Sequence, residues 1–224
     1  NKIWGNKISV LVGDFLLSKG LMISVDNKDF DLLGTITNTV KRMSEGELLQ
    51  IYKTKKLDID EETYFKIISD KTASLISTCC EIGARSSTND EVKIEALKNY
   101  GENLGIAFQI QDDILDFIGK TKLFGKIQGG DLKEKKITLP LIYALNNSED
   151  SKQKSIKKLL KKGVKDDSIK EIISFIKENG GIEYAQNSAQ EYSQKAKDCL
   201  NIFEDSESKK SLIELVNFVI DRDK

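Results

Sequence analysis

An all-α fold, a single bundle of helices spanning residues 1–224, is what this sequence predicts, and three observations carry that expectation. Proline occurs once, at Pro140, so long stretches run without a helix breaker. Ile, Leu, Lys and Glu dominate the composition, a balance that suits long helices better than many short strands joined by turns. Apolar residues recur at helical spacing in segment after segment, with Leu32, Leu33, Ile36, Val40 and Met43 one instance. With 224 residues the chain can bury most of its apolar surface in one core.

Taken in order, residues 8–25 read as a buried helix interrupted by Asp14, a charge that would need a partner or a cavity. Residues 29–52 read as amphipathic and end in "SEGELLQ". Asp60 caps a helix that continues through "SDKTASLISTCCEIGA" to about Ala84, because acidic residues precede the apolar spacing. After the polar link "RSSTNDE", one long helix runs from Val92 to about Ile118, followed by a loop punctuated by Gly125, Gly129 and Gly130. Pro140 fits the first turn of the next helix, where backbone amides lack partners anyway. Seven lysines between Lys152 and Lys165 mark a solvated segment rather than a binding patch. Ile169, Ile172, Ile173 and Ile176 form a helical stripe ended by "NGG". Two further amphipathic helices follow, the last carrying Leu212, Leu215, Val216, Val219 and Ile220.

Composition excludes some functions. Lys and Arg number 35 against 36 Asp and Glu, so no global charge argues for nucleic acid or an anionic membrane surface. Histidine is absent, which removes the commonest general base and the commonest zinc ligand. Cys79, Cys80 and Cys199 lack CxxC spacing and are expected to be buried, reduced thiols of a cytoplasmic protein. No uninterrupted apolar run reaches the roughly 20 residues that cross a bilayer, so no transmembrane segment is expected.

The stretch "FQIQDDILDFIGKTKLFGKIQGGDLKEKK" holds the candidate chemistry. On a helix at about 100° per residue, Gln109, Asp112, Asp113 and Asp116 fall within an arc of about 100°. Ile106, Ile110, Ile114 and Phe117 flank that arc on one side, and Leu104, Phe108 and Leu115 on the other. A solvated face would be flanked by polar residues, so these carboxylates are expected to look inward. Clustered ionised carboxylates need a cation, and oxygen-only ligands suit Mg²⁺, which shares itself between a few carboxylates, water and phosphate oxygens. The alternative is an acidic patch paired with lysines of neighbouring helices. The glycine loop, with Lys126 and Lys136, weighs toward a diphosphate beside the metal.

Together "GDFLLSKGL", "SEGELLQ", "DKTASL", "FQIQDDILDF", "GKIQGGDLKEKKITLPLIYAL", "GGIEYA" and "SLIELVNFVIDRDK" resemble the trans-type polyprenyl diphosphate synthases, in matching order over essentially the whole chain. The resemblance implies an isoprenoid-synthase-like bundle with a central cavity, assembled as a homodimer. It implies Mg²⁺-assisted loss of diphosphate from an allylic diphosphate and attack on the resulting cation by isopentenyl diphosphate. Asp112, Asp113 and Asp116 would be the metal residues of the family's second aspartate-rich motif, with Asp112 and Asp113 catalytic. Gln109, Lys71, Thr72, Lys126 and Lys136 would bind substrate, with Lys71 on the diphosphate and Thr72 facing the developing cation.

The same resemblance covers the C-terminal two thirds of such a synthase. The family carries another aspartate-rich motif on a helix before the region that residues 1–21 resemble, and this sequence has no counterpart. The 224-residue polypeptide alone is therefore expected to be inactive or nearly so, whether as a fragment of a longer synthase or as a shortened homologue; the intact protein is expected to be the enzyme, and the alternative is a non-catalytic synthase-like subunit. A terpene cyclase is a third reading, which the GKxxGGDL loop fits less well. Product length and preferred primer are not legible, because the positions that set them lie near the absent motif.

Overall fold

The computed structural model describes residues 5–118, 129–164 and 166–222; Gly125 and Lys126 lie outside that set. Among the described residues every regular element is helical. By its internal contacts the chain divides into Asn1–Lys41 and Arg42–Lys224.

The first unit holds α1 (Gly5–Asp26) and the opening of α2 (Phe30–Lys56). The expected helix is present, but the expectation that it is buried is not met: Ser24 is its one buried residue, and Asp14 is exposed to water. Ten apolar side chains between Ile8 and Val25 are exposed, Phe15 at 65% and Leu16 at 63%. Counting uninterrupted apolar runs also undervalued this segment, because Asp14 and Lys19 break the run without lowering its average much. The most apolar 18-residue window of Gly5–Asp26 has a mean hydropathy of 1.7, so the helix is long and apolar enough to cross a membrane by length and composition, as core helices of soluble proteins also are.

In the second unit, α2 continues from Arg42, followed by α3 (Glu61–Ile68), a π-helical turn (Ser69–Ala73), α4 (Ser74–Arg85) and α5 (Glu91–Ile118). Asp60 caps α3 as expected, accepting from the Thr63 amide at 2.8 Å. The helix expected over residues 60–84 runs without interruption through residues 61–85, but it contains a π-turn at "SDKTA" that the periodicity did not signal. After α5 come α6 (Gly130–Lys133), α7 (Leu139–Asn146), α8 (Asp150–Lys162), α9 (Asp166–Glu178), α10 (Gly181–Asp198) and α11 (Glu207–Asp221). Pro140 occupies the first turn of α7. Gly180, at φ 72°, supplies the left-handed turn between α9 and α10 that "NGG" signals.

Helix α5 is the axis of this unit, packed mainly between α4 and α10. Its Ile106, Ile110, Ile114 and Phe117 join Leu139, Leu141 and the α9 stripe of Ile172 and Ile176 in the larger core. Tyr100 and Leu104 lead a second cluster with Ala196, Leu200, Val216 and Val219. The lysines of α8 stay outside while Ile156 and Leu160 turn inward. Leu215, expected on the apolar face of α11, is 44% exposed, so that face is narrower than the sequence suggests. The cysteines also depart from expectation: Cys79 is exposed and Cys80 and Cys199 are partly so. Burial still pushes the Cys80 thiol up to about 11, which keeps it protonated near neutrality.

Candidate active site

A cavity of about 110 Å³ opens between α2, α3, the π-turn, the C-terminal half of α5, α6 and the segment leading into α7. Lys71, Thr72, Gln109, Asp112 and Asp113 line it, and so does Lys136; six of the eight predicted positions therefore converge there. Lys126 lies outside the described residues. Asp116 is buried and is absent from the lining.

The three aspartates share one helical stripe but serve different partners. Asp113 is fully buried; its Oδ2 accepts from the Tyr64 hydroxyl at 2.7 Å and its Oδ1 from Gln109 Nε2 at 2.9 Å. Burial pushes the Asp113 carboxyl up to about 7, against the lowering effect of those two hydrogen bonds, with the charges of Asp131 and Asp112 adding to the rise. Asp112 is the exposed member, its side chain 43% accessible, and its Oδ1 stands 3.6 Å from Arg222 Nη2. Asp116 accepts from the amides of Gly130 and Asp131, each at 3.1 Å, and so fastens the start of α6 to α5. The sequence reading has Gly125, Gly129 and Gly130 let the backbone approach an anion closely. The structure spends the Gly129 and Gly130 amides on Asp116 instead, with Gly129 N donating to the Asp116 carbonyl at 3.0 Å.

Hydrogen bonds connect the lining residues across elements. Thr72 Oγ1 donates to Gln109 Oε1 at 3.1 Å, and Gln109 in turn donates to Asp113, so one chain of polar contacts runs from the π-turn to Tyr64. Lys71 Nζ donates to Gln50 Oε1 at 2.6 Å and pairs with Glu47 Oε2 at 2.7 Å. An ammonium has three donors, so among the described residues one remains for an anion. Lys136 Nζ is held by Glu134 at 2.6 Å and Asp131 at 3.4 Å. Ile59, Ile67, Ile68 and Ile137 supply the apolar part of the wall.

Sequence reasoning missed Tyr64, Asp131 and Arg222 as members of this neighbourhood. Tyr64 was findable, since it lies seven and eight residues before Lys71 and Thr72 and so on one helical face with them. Arg222 was not, because only tertiary packing brings the chain's end to Asp112. Its guanidinium sits 4.1 Å from the Phe108 ring centroid and donates to the Phe108 carbonyl at 3.1 Å.

Among the described residues no group of three or more carboxylates or thiols gathers at metal-holding distance. The donors nonetheless fit Mg²⁺ in its usual protein setting, where one or two carboxylates, waters and substrate phosphate oxygens share the ion. Asp112 has an accessible carboxylate at the cavity, and each oxygen of Asp113 accepts one hydrogen bond, from Tyr64 or Gln109, and has a further lone pair.

Carboxylates, a lysine and a threonine around one small cavity are groups whose chemistry suits a metal ion and a phosphate group side by side. The chain belongs to the polyprenyl synthetase family, whose model matches residues 1–176. An octaprenyl diphosphate synthase of Haemophilus influenzae is 33% identical over 222 residues, covering 99% of this chain and 68% of that protein. A short chain isoprenyl diphosphate synthase of Methanothermobacter thermautotrophicus is 31% identical, covering 99% and 69%. Among solved structures, a polyprenyl synthase from Caulobacter crescentus complexed with calcium and isoprenyl diphosphate superimposes with a TM-score of 0.90 at 34% identity, over 99% of this chain and 68% of that one.

Proposed function

We propose that this chain carries the diphosphate-leaving half of a chain-elongating prenyl transfer. An allylic diphosphate loses its diphosphate, the double bond of isopentenyl diphosphate bonds to the freed allylic carbon, and proton loss gives a diphosphate one isoprene unit longer. The observation that carries this reading is the convergence of Lys71, Thr72, Gln109, Asp112 and Asp113 on one cavity. Names borne by the relatives, octaprenyl and isoprenyl diphosphate synthases, support it. Calcium in the Caulobacter structure supports a divalent cation at the diphosphate.

In this reading Asp112 and Asp113 would hold Mg²⁺, which when bound supplies electrostatic stabilisation of the departing diphosphate. Lys71 binds a diphosphate oxygen with its third donor while Glu47 and Gln50 fix the ammonium. Tyr64 and Gln109 hold Asp113 in place, and Gln109 takes the Thr72 proton donor, which leaves the Thr72 oxygen lone pairs for the developing cation. Lys136 adds positive charge at the rim, and the isoleucines keep water from the cation. A non-catalytic subunit would have no use for such an alignment. The working assembly is a cytoplasmic homodimer with isopentenyl diphosphate as co-substrate.

Magnesium pyrophosphate titrated into the chain by calorimetry should bind with an affinity that falls by about a hundredfold in Asp112→Ala, the scale of losing a charge-assisted contact to metal and phosphate. Unchanged binding would remove the stripe from the mechanism. We further propose that the 224-residue polypeptide alone does not turn over, because its sequence holds one aspartate-rich cluster where the resemblance implies two. Metal-dependent elongation of a short allylic primer by that polypeptide would overturn this.

A further inference from the structure

Lys71 and Thr72 sit in the π-turn, and we propose that Arg42, Ser69, Asp70 and Glu102 form a clamp that holds this turn in the register aiming both residues into the cavity. Arg42 is then a positioning residue for the diphosphate site. The inference rests on the reading of Lys71 as a diphosphate ligand.

A π-turn adds one residue to a helical turn and so rotates everything around it. Here the Ser74 amide donates to the Ser69 carbonyl, five residues back, and the Asp70 carbonyl is satisfied by Ser74 Oγ at 2.7 Å. Nothing in "SDKTA" forces such a turn; an ordinary helix was expected there, so tertiary contacts must select it. Packing presses on it from two sides. A Cβ on Gly46 of α2 would stand 2.9 Å from the Lys71 amide nitrogen, and one on Gly105 of α5 would stand 2.5 Å from Ala73 Cα. Both helices thus approach the turn too closely to admit a methyl group.

Arg42 supplies the polar half of the clamp. Its Nε donates to Asp70 Oδ1 at 3.0 Å, and its Nη2 to Ser69 Oγ at 3.0 Å and Glu102 Oε1 at 3.2 Å. Ser69 Oγ donates to the same Glu102 oxygen at 2.5 Å, and Lys66 Nζ holds Asp70 Oδ2 at 2.8 Å. One guanidinium therefore ties α2, the π-turn and α5, using a planar fork that a lysine cannot reproduce. Neither Arg42, Ser69, Asp70 nor Glu102 lines the cavity, so the group acts only through the residues that follow it in the turn.

The test titrates magnesium pyrophosphate into the 224-residue chain well below its melting midpoint. Arg42→Gln should weaken binding about tenfold, Arg42→Lys should not restore it, and Arg42→Gln should add nothing when Lys71→Met is already present, as coupled residues behave. Glu102→Gln, which keeps the shape of the network, should weaken binding in the same direction and carries the test should Arg42→Gln unfold. Wild-type affinity in Arg42→Gln and Glu102→Gln, with Lys71→Met weakened, overturns the clamp. So does an equal loss in the Lys71→Met background, which marks a merely structural role. Wild-type affinity in Lys71→Met itself defeats the reading of the cavity, and the clamp with it.

Discussion

Asp70 accepts from Arg42 and Lys66 at once while its side chain is only 10% accessible. Burial acts to raise its carboxyl, but the hydrogen bonds from Lys66 and Arg42 outweigh it and hold the group below the usual carboxylate value. An acid with a folded-state value below the unfolded one, about 3.9, releases its proton more readily when folded, so it stabilises the fold above that value. The contribution is lost as pH falls through the lower, folded value. Asp70→Asn is therefore expected to cost about 1–3 kcal/mol at pH 7, and urea denaturation should show the difference from wild type shrinking as pH falls through the lowered, folded value. A gap that stays constant with pH would mean the carboxylate charge is not what matters. The neighbouring stripe shows how far residues can be read unaided. Helical spacing and apolar flanks located Gln109, Asp112, Asp113 and Asp116, but not their division of labour. That division depends on Tyr64, Arg222 and the Gly130 amide, residues 14 to 110 positions away in the chain.

Most helices were legible because periodicity, caps and the lone proline act locally: Asp60, Pro140 and Gly180 each stand where their backbone chemistry places them. The π-turn was not legible, because its cause lies in α2 and α5. Gly105→Ala probes that cause, since the added carbon would overlap Ala73 Cα at 2.5 Å and Ala73 Cβ at 2.8 Å. Alanine has the higher helix propensity by about 1 kcal/mol, so an isolated α5 would gain from the change. Overpacking opposes that gain with about 1–3 kcal/mol. The folded protein is expected to lose stability despite the better helix former, with a lower urea midpoint and an unchanged m-value. A rise in midpoint would show that the approach of α5 to the turn is slack enough to absorb a methyl group.

Across the molecule, the lone proline, the helix-favouring composition and the helical periodicity make an all-α chain legible from sequence alone, while α1 exposes the limit of that reasoning. A helix apolar on every side reads as core, since in water such a surface is unfavourable. The sequence records that α1 should be covered but not by what. The matches to the Haemophilus and Methanothermobacter proteins each cover 99% of this chain, so they take in α1 along with the site. Exposed at 57% for Leu11, 65% for Phe15 and 63% for Leu16, these side chains form an apolar surface of the kind that drives association. The purified 224-residue chain is expected to self-associate at micromolar concentration and to enhance the fluorescence of an apolar dye. Leu11→Lys with Phe15→Lys should shift sedimentation toward the monomer. The urea midpoint reported by the Arg42–Lys224 unit should stay in place, because neither residue belongs to its core clusters. A wild-type chain that sediments as a monomer and leaves the dye dark would show that α1 is already covered in solution. A double variant that lowers the midpoint would show that residues 11 and 15 contribute to the stability of the site-bearing unit.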